Sequence, residues 1–180
     1  RVVVHSGSTA ETDRPRALKN ARNGILAALS QMDQEGLGDI TLCLETMGKV
    51  KSLGALDEVT ALCASDERLL PCVDFGHLYA RSQGQLVTTE QFTAVFDALD
   101  NALGRQRARR MHVHFSKIEY SRVGEVRHLT FGSTQFGPEF EPAARIMRER
   151  DYCPVVICES AGTQAEDALY MKRTFYGGVW

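Results

Sequence analysis

The side chains best suited to chemistry are imidazoles and carboxylates in or directly after five short apolar runs. They are His5, Glu45, Asp74, His112 with His114, and Glu159. His77 and His128 lie just beyond two further run ends, so all five histidines of the chain belong to this set. Nitrogen and oxygen donors of this kind suit Zn²⁺, Mn²⁺ or Fe²⁺. Because three carboxylates in one dry pocket need cations to balance them, the pattern predicts a metal centre.

The elements that must position these side chains alternate between strand and helix signals. The apolar runs cover residues 2–4, 40–44, 69–73, 111–115 and 155–158, and are typical of buried parallel strands. Between them, helical periods begin near residue 12, at a capping box at 88–91, at Glu141-Pro142 and at a capping box at 163–166. This alternation predicts an α/β fold, either an open doubly wound sheet or part of a (β/α)8 barrel.

Two observations refine this interpretation. No Gly-rich phosphate-binding loop follows any strand, which argues against a nucleotide-binding open sheet. Residues 119–139 are polar and contain Gly124, Gly132 and Gly137. We therefore predict a long loop there, on the face of a barrel where the strand ends converge.

Composition indicates one globular domain over residues 1–180, since 43% of the 180 residues are hydrophobic and 24% are charged. The five cysteines form no CxxC pair, which predicts free thiols in a reducing, cytoplasmic compartment. No apolar run approaches the roughly 20 residues that span a bilayer. No feature indicates a membrane or an obligate protein partner.

The net charge of −2 provides no global positive field toward nucleic acid. Binding of DNA would therefore depend on metal ions and on local cations near the predicted site. The candidates for phosphate contact are Arg81, Lys117, Arg122 and Arg127. The C-terminal aromatic residues Tyr176 and Trp180 are predicted to be packing or interface residues rather than to stack on bases.

Six short segments, in order along the chain, carry a family resemblance. They are HSGS at 5–8, LETMG at 44–48, CVDFGH at 72–77, HVHFSK at 112–117, RH at 127–128 with Gly132, and CES at 158–160. They resemble the HPGS, ENTAG, DxxH, HLND[SA]K, DRHxxxG and LET segments of the endonuclease IV family of DNA-repair phosphodiesterases. That family lies in the xylose-isomerase-like TIM-barrel superfamily, so the resemblance implies a partial barrel. The chain would supply strands 4–8, with strands 1–3 missing.

The resemblance also implies a cluster of up to three Zn²⁺ ions, with Mn²⁺ or Fe²⁺ as substitutes. His5 and Glu45 resemble ligands of the first ion, and Glu45 would bridge to the second. Asp74, His112 and Glu159 resemble further ligands of the second ion, and His77 and His128 resemble ligands of the third. The family's aspartate before the last histidine is replaced by Val126, and Glu125 is the candidate substitute. His112 fits the spacing to Lys117 better than His114, but both point to one face of a strand, so either remains the candidate ligand.

The activity implied is hydrolysis of DNA at the 5′ side of an abasic site, with Glu45 or Glu159 orienting or deprotonating the attacking water. Two alternatives remain. A sugar isomerase or epimerase on the same barrel would need one metal ion and a small sugar substrate. A barrel piece without three strands would expose sheet edges and half a core, and would be either the partner of a separately encoded half or inert.

Overall fold

Five parallel strands form the central sheet of the computed structural model, which describes residues 1–178. They are β1 (Val2–Val4), β2 (Leu42–Glu45), β3 (Leu70–Asp74), β4 (His112–Phe115) and β7 (Val155–Cys158). Their order is β1-β2-β3-β4-β7, and every pair is parallel. The sheet and the helices around it make a half-barrel, which confirms the predicted partial barrel. Trp180, predicted to pack, lies outside the described residues.

Seven helices are described: α1 (Arg14–Gln34), α2 (Leu56–Cys63), α3 (Phe75–Arg81), α4 (Thr89–Leu103), α5 (Arg105–Ala108), α6 (Glu141–Glu149) and α7 (Gln164–Phe175). The predicted helix starts at Thr88 and Glu141 are confirmed, and Thr88 caps α4 by accepting the Gln91 N–H. The prediction of a capping box at residues 163–166 is wrong, since the Thr163 side chain binds the Asp167 side chain and makes no hydrogen bond that caps the helix. None of the described helices combines the length and apolar character needed to cross a bilayer.

The two faces of the sheet have different roles because side chains alternate along each strand. Leu44 on β2, Val73 on β3 and Val113 on β4 point outward and are fully buried against the helices. The residues between them point to the inner face, where Cys43 and Cys72 belong to a small separate cluster. Alternation along the strands therefore places the hydrophobic core on the face that packs against the helices and the acidic and imidazole side chains on the inner face.

The prediction of a long loop over residues 119–139 is wrong for the first half of that segment. A β-hairpin of β5 (Lys117–Ser121) and β6 (Gly124–Leu129) lies there. Gly124 has φ +105°, and a Cβ atom at this position would lie 2.1 Å from the Gly48 carbonyl oxygen. The many polar side chains of this half-buried hairpin, together with its β-bulge, hide the strand alternation in the sequence.

The segment after β2 is held by one buried carboxylate. Glu58 at the start of α2 accepts hydrogen bonds from the backbone N–H groups of Gly54 and Ala55, both at 2.9 Å. Arg14 of α1 binds the same carboxylate and also donates to the Ser52 carbonyl at 3.0 Å. Burial alone would raise the pKa of Glu58, but these hydrogen bonds outweigh it and lower the pKa to about 2.

We therefore expect Glu58→Gln to lower the free energy of unfolding by about 2 kcal/mol at pH 7. The folded-state pKa lies below the unfolded value of 4.5, so this contribution is present above pH 4.5 and disappears as the pH falls toward 2. Urea denaturation at several pH values measures the gap between the two proteins. Glu149→Gln, at a side chain 63% exposed, is the control. A gap that stays constant down to pH 2.5 would contradict the assignment.

Candidate metal centre

Glu45 at the end of β2 is the central residue of the site, and only 2% of it is exposed. Its Oε2 lies 2.8 Å from Nε2 of His5, which follows β1. Its Oε1 lies 3.0 Å from Nδ1 of His114 on β4 and 3.6 Å from Nδ1 of His77 on α3. The ends of three parallel strands and the first turn of a helix therefore place three imidazoles around one buried carboxylate.

The first group of potential ligands, which we call the carboxylate cluster, contains Glu45, Asp74, His114 and Glu159. Their donor atoms all lie within 4.8 Å of one another. Nδ1 of His114 is 3.1 Å from Oε1 of Glu159, which directly follows β7. Asp74 uses Oδ1 to accept the His77 backbone N–H at 2.7 Å, but its buried Oδ2 has no hydrogen-bond partner among residues 1–178. A buried carboxylate oxygen without a donor is what a bound cation would satisfy.

The second group, which we call the His77 cluster, contains His77, Glu125 and His128. Nε2 of His77 lies 3.1 Å from Oε2 of Glu125, although neither buried atom makes a hydrogen bond within the described chain. The ring centroids of His77 and His128 are 5.5 Å apart. A β-bulge in the hairpin explains why Glu125 and His128 both face His77 although they are three residues apart. The register pairs Glu119 with Arg127 and Tyr120 with Glu125, so it skips Val126, which is 51% exposed.

The spacing of these donor atoms fits shared cations. Two atoms bound to one ion at about 2.1 Å in tetrahedral geometry lie about 3.4 Å apart, and closer at higher coordination number. The His114–Glu159 and His77–Glu125 distances are both 3.1 Å. The two clusters are also adjacent, since Nδ1 of His77 lies 3.4 Å from Oδ2 of Asp74. The donor set of carboxylates and imidazoles suits Zn²⁺, Mn²⁺ or Fe²⁺.

The charges of the site are strongly coupled to its protons. Burial and the nearby Asp74 raise the pKa of Glu159 to about 7. Burial would lower the pKa of His77, but Asp74, Glu125 and Glu45 raise it to about 10. Protons on these imidazoles balance the carboxylates when no cation does so. Because only a neutral imidazole binds a metal, cation binding would release protons to solvent.

Two residues that the sequence interpretation did not single out orient the imidazoles. The Thr46 carbonyl lies 2.9 Å from Nδ1 of His77, and a carbonyl can only accept, so this nitrogen carries the proton. Nε2 is thereby left for Glu125 and a cation. Ser116, which is fully buried, holds Nδ1 of His128 at 2.8 Å. Their only signal in the sequence is that each lies beside a strand end.

One histidine of the site differs from the one that the sequence spacing favoured. The spacing to Lys117 favoured His112, but it is His114 that contacts Glu45 and Glu159. His112 lies beside Cys72, its direct register partner on β3. Burial and the neighbouring His114 lower the pKa of His112 to about 4. The other seven predicted ligands, together with His114, are brought together: His5, Glu45, Asp74, His77, Glu125, His128 and Glu159.

The predicted phosphate contacts have mixed environments. Arg81 donates to the backbone carbonyls of Met47 and Lys49, at 3.1 and 2.9 Å. Lys117 is buried and donates to Glu139 at 2.6 Å. Both side chains therefore bind groups within the protein. Arg122 is exposed in the hairpin turn, and Arg127 is exposed and paired with Glu119 at 2.7 Å, so their role toward DNA stays a prediction.

Comparison with known proteins agrees with the half-barrel. Residues 1–174 match a family described as xylose isomerase-like TIM barrel. An uncharacterized protein of Methanocaldococcus jannaschii is 31% identical over 171 residues, which are 95% of this chain and 61% of that protein. The fold resembles mannonate dehydratase from Streptococcus suis serotype 2 with a TM-score of 0.55 and 13% identity, over 94% of this chain and 56% of that one. The chain thus spans about three-fifths of the length of each.

Gly48 gives a direct test of the His77 cluster. A Cβ atom at this position would lie 2.6 Å from Cβ of Glu125, 2.8 Å from its Oε2 and 3.1 Å from Cδ2 of His77. We expect Gly48→Ala to displace Glu125 and to weaken zinc binding at this cluster about 10- to 100-fold. Zinc titration measures the effect, with circular dichroism to monitor folding.

Gly38→Ala is the matched control, because a Cβ at Gly38 would have no neighbour within 4 Å. Unchanged zinc binding by a folded Gly48→Ala protein would show that Glu125 is not a ligand.

Proposed function

Since this chain belongs to the xylose isomerase-like TIM barrel family, we propose that it is a metal-dependent phosphodiesterase of the endonuclease IV type, hydrolysing DNA 5′ to an abasic site. The observation that carries this proposal is the His77 cluster beside the carboxylate cluster. An isomerase that uses one ion needs only the carboxylate cluster. The two ligand groups are adjacent, and His5 contacts the other carboxylate oxygen of Glu45. This arrangement suits a centre of several ions that bind one phosphate together.

The residues that would hold the ions follow from the contacts. His5 and Glu45 would hold the first, with Glu45 shared with the second; Asp74, His114 and Glu159 would complete the second; His77, Glu125 and His128 would hold the third. Bound Zn²⁺ would lower the pKa of water and neutralise charge on the phosphate oxygens.

Of the three carboxylates in the carboxylate cluster, Glu159 is the one suited to proton transfer. Its side chain is 30% exposed, whereas those of Glu45 and Asp74 are 3% and 0% exposed. Glu45, surrounded by three imidazoles, is instead a fixed ligand and positioning group.

The reaction balances with water as the only co-reactant. The water oxygen forms a bond to phosphorus and passes a proton to Glu159. The bond between phosphorus and the 3′ oxygen breaks, and that oxygen takes up a proton. The products are a 3′-hydroxyl and a 5′-deoxyribose phosphate. An abasic nucleotide costs little to turn out of the helix, which suits a recessed site.

A sugar isomerase or epimerase is the second candidate, and specific observations favour it. Val126 replaces a carboxylate of the endonuclease IV pattern, and Arg81 and Lys117 already bind protein groups. With a net charge of −2, little positive charge remains for DNA. This candidate requires one ion per chain and a substrate with a carbonyl next to the carbon that loses its proton.

We expect the zinc-loaded protein to cleave a labelled duplex that contains one abasic site and to leave the matching intact duplex uncut. Glu125→Gln should slow cleavage by about 100-fold and reduce the zinc bound per chain. Glu149→Gln is the control, since the Glu149 side chain is 63% exposed on α6 and lies outside both ligand clusters. Cleavage is followed on denaturing gels, and zinc by elemental analysis.

The outcome that overturns the proposal is equally definite. An uncut abasic duplex, together with about one ion per chain that Glu125→Gln does not change, would favour the isomerase chemistry instead.

A further inference from the structure

A third group of potential ligands lies on the inner face of the sheet, below the carboxylate cluster. It contains Cys72 on β3 and His112 and His114 on β4. Cys72 and His112 are direct partners in the β3–β4 register, and His114 follows two residues later on the same face. One donor atom from each of the three residues lies within 4.8 Å of the other two. The proposed hydrolysis uses neither Cys72 nor His112.

An independent observation points to a ligand in this group. His112 is only 6% exposed, and its buried Nδ1 has no hydrogen-bond partner within residues 1–178. Its ring meets that of His114 edge to face, with centroids 5.1 Å apart. A buried ring nitrogen without a partner loses its hydration and gains nothing in return. Cys72 beside it is fully buried.

We propose that Cys72, His112 and His114 form a further metal site, with a thiolate ligand, for a borderline-soft cation such as Zn²⁺ or Co²⁺. One sulfur and two imidazole nitrogens are a donor set that zinc accepts, with a fourth position left for water. The sulfur distinguishes it from the carboxylate cluster, because thiolates disfavour Mg²⁺ and Mn²⁺. On binding, the Cys72 thiol forms the sulfur–metal bond and its proton passes to solvent.

This thiolate site and the carboxylate cluster are coupled because both use His114. Its Nδ1 faces Glu45 at 3.0 Å, and the same imidazole belongs to the group around Cys72. A cation held by Cys72 therefore draws on a side chain that the carboxylate cluster also uses. The thiolate site would make the metal content of the carboxylate cluster sensitive to soft cations.

The test uses Co²⁺, whose bond to a thiolate gives a charge-transfer band that carboxylate and imidazole ligands do not give. The protein is produced in cells supplied with Co²⁺, so that the cation is present while the chain folds. Cys153 and Cys158, the two less buried cysteines, are first replaced by serine to remove other thiolate sources. We expect this background protein to show the band and Cys72→Ser to abolish it.

Cys43→Ser is the matched control, since Cys43 is equally buried on the same face but lies outside the group. His112→Phe should also lose most of the band, and it provides the decision if Cys72→Ser does not fold. Glu125→Gln should keep the band, so failure of the proposed nuclease function leaves this site testable. No band in the background protein, or a band that survives in folded Cys72→Ser or His112→Phe, would overturn the proposal.

Discussion

The site depends on one buried carboxylate. Glu45 cannot remain ionised at 2% exposure without partners, and it has imidazoles from His5, His77 and His114 within 3.6 Å. His5 follows β1, His77 lies on α3 and His114 lies on β4, so three elements around β2 bring these partners to Glu45. Burial would raise the pKa of Glu45, but His114, His77 and His5 outweigh it and lower the pKa. The fold and the chemistry of the site therefore meet at this residue.

The strand positions and the strand-end ligands could be predicted because they follow a simple period. Short apolar runs must be buried on at least one face, and the polar residues that end them lie at one edge of a parallel sheet. Glu45, Asp74 and Glu159 follow directly from this reasoning. The short helices α2, α3 and α5 could not be predicted in the same way, since they contain only four to eight residues.

The remaining features depend on tertiary contacts that the sequence does not encode locally. His112 and His114 point to the same face, and the register aligns Glu45 with Cys72 and Cys72 with His112. The contact between Glu45 and His114 therefore depends on how these side chains reach across the sheet, which strand pairing alone does not predict. Glu125 enters the site because residues 117–129 form a hairpin rather than an irregular loop. Thr46 and Ser116 act through a backbone carbonyl and a hydroxyl, whose partners are visible only in three dimensions.

The close approach of Gly48 and the hairpin has a consequence for how such a sequence can diverge. A side chain at position 124 would meet the Gly48 backbone, and a side chain at position 48 would meet Glu125 and His77. A larger residue at position 48 is therefore compatible only with a shorter one at 125, or with a hairpin that sits farther away. Positions 48, 124 and 125 should change together during evolution, and a relative with a bulky residue at 48 would have to recruit its ligand from elsewhere in the hairpin.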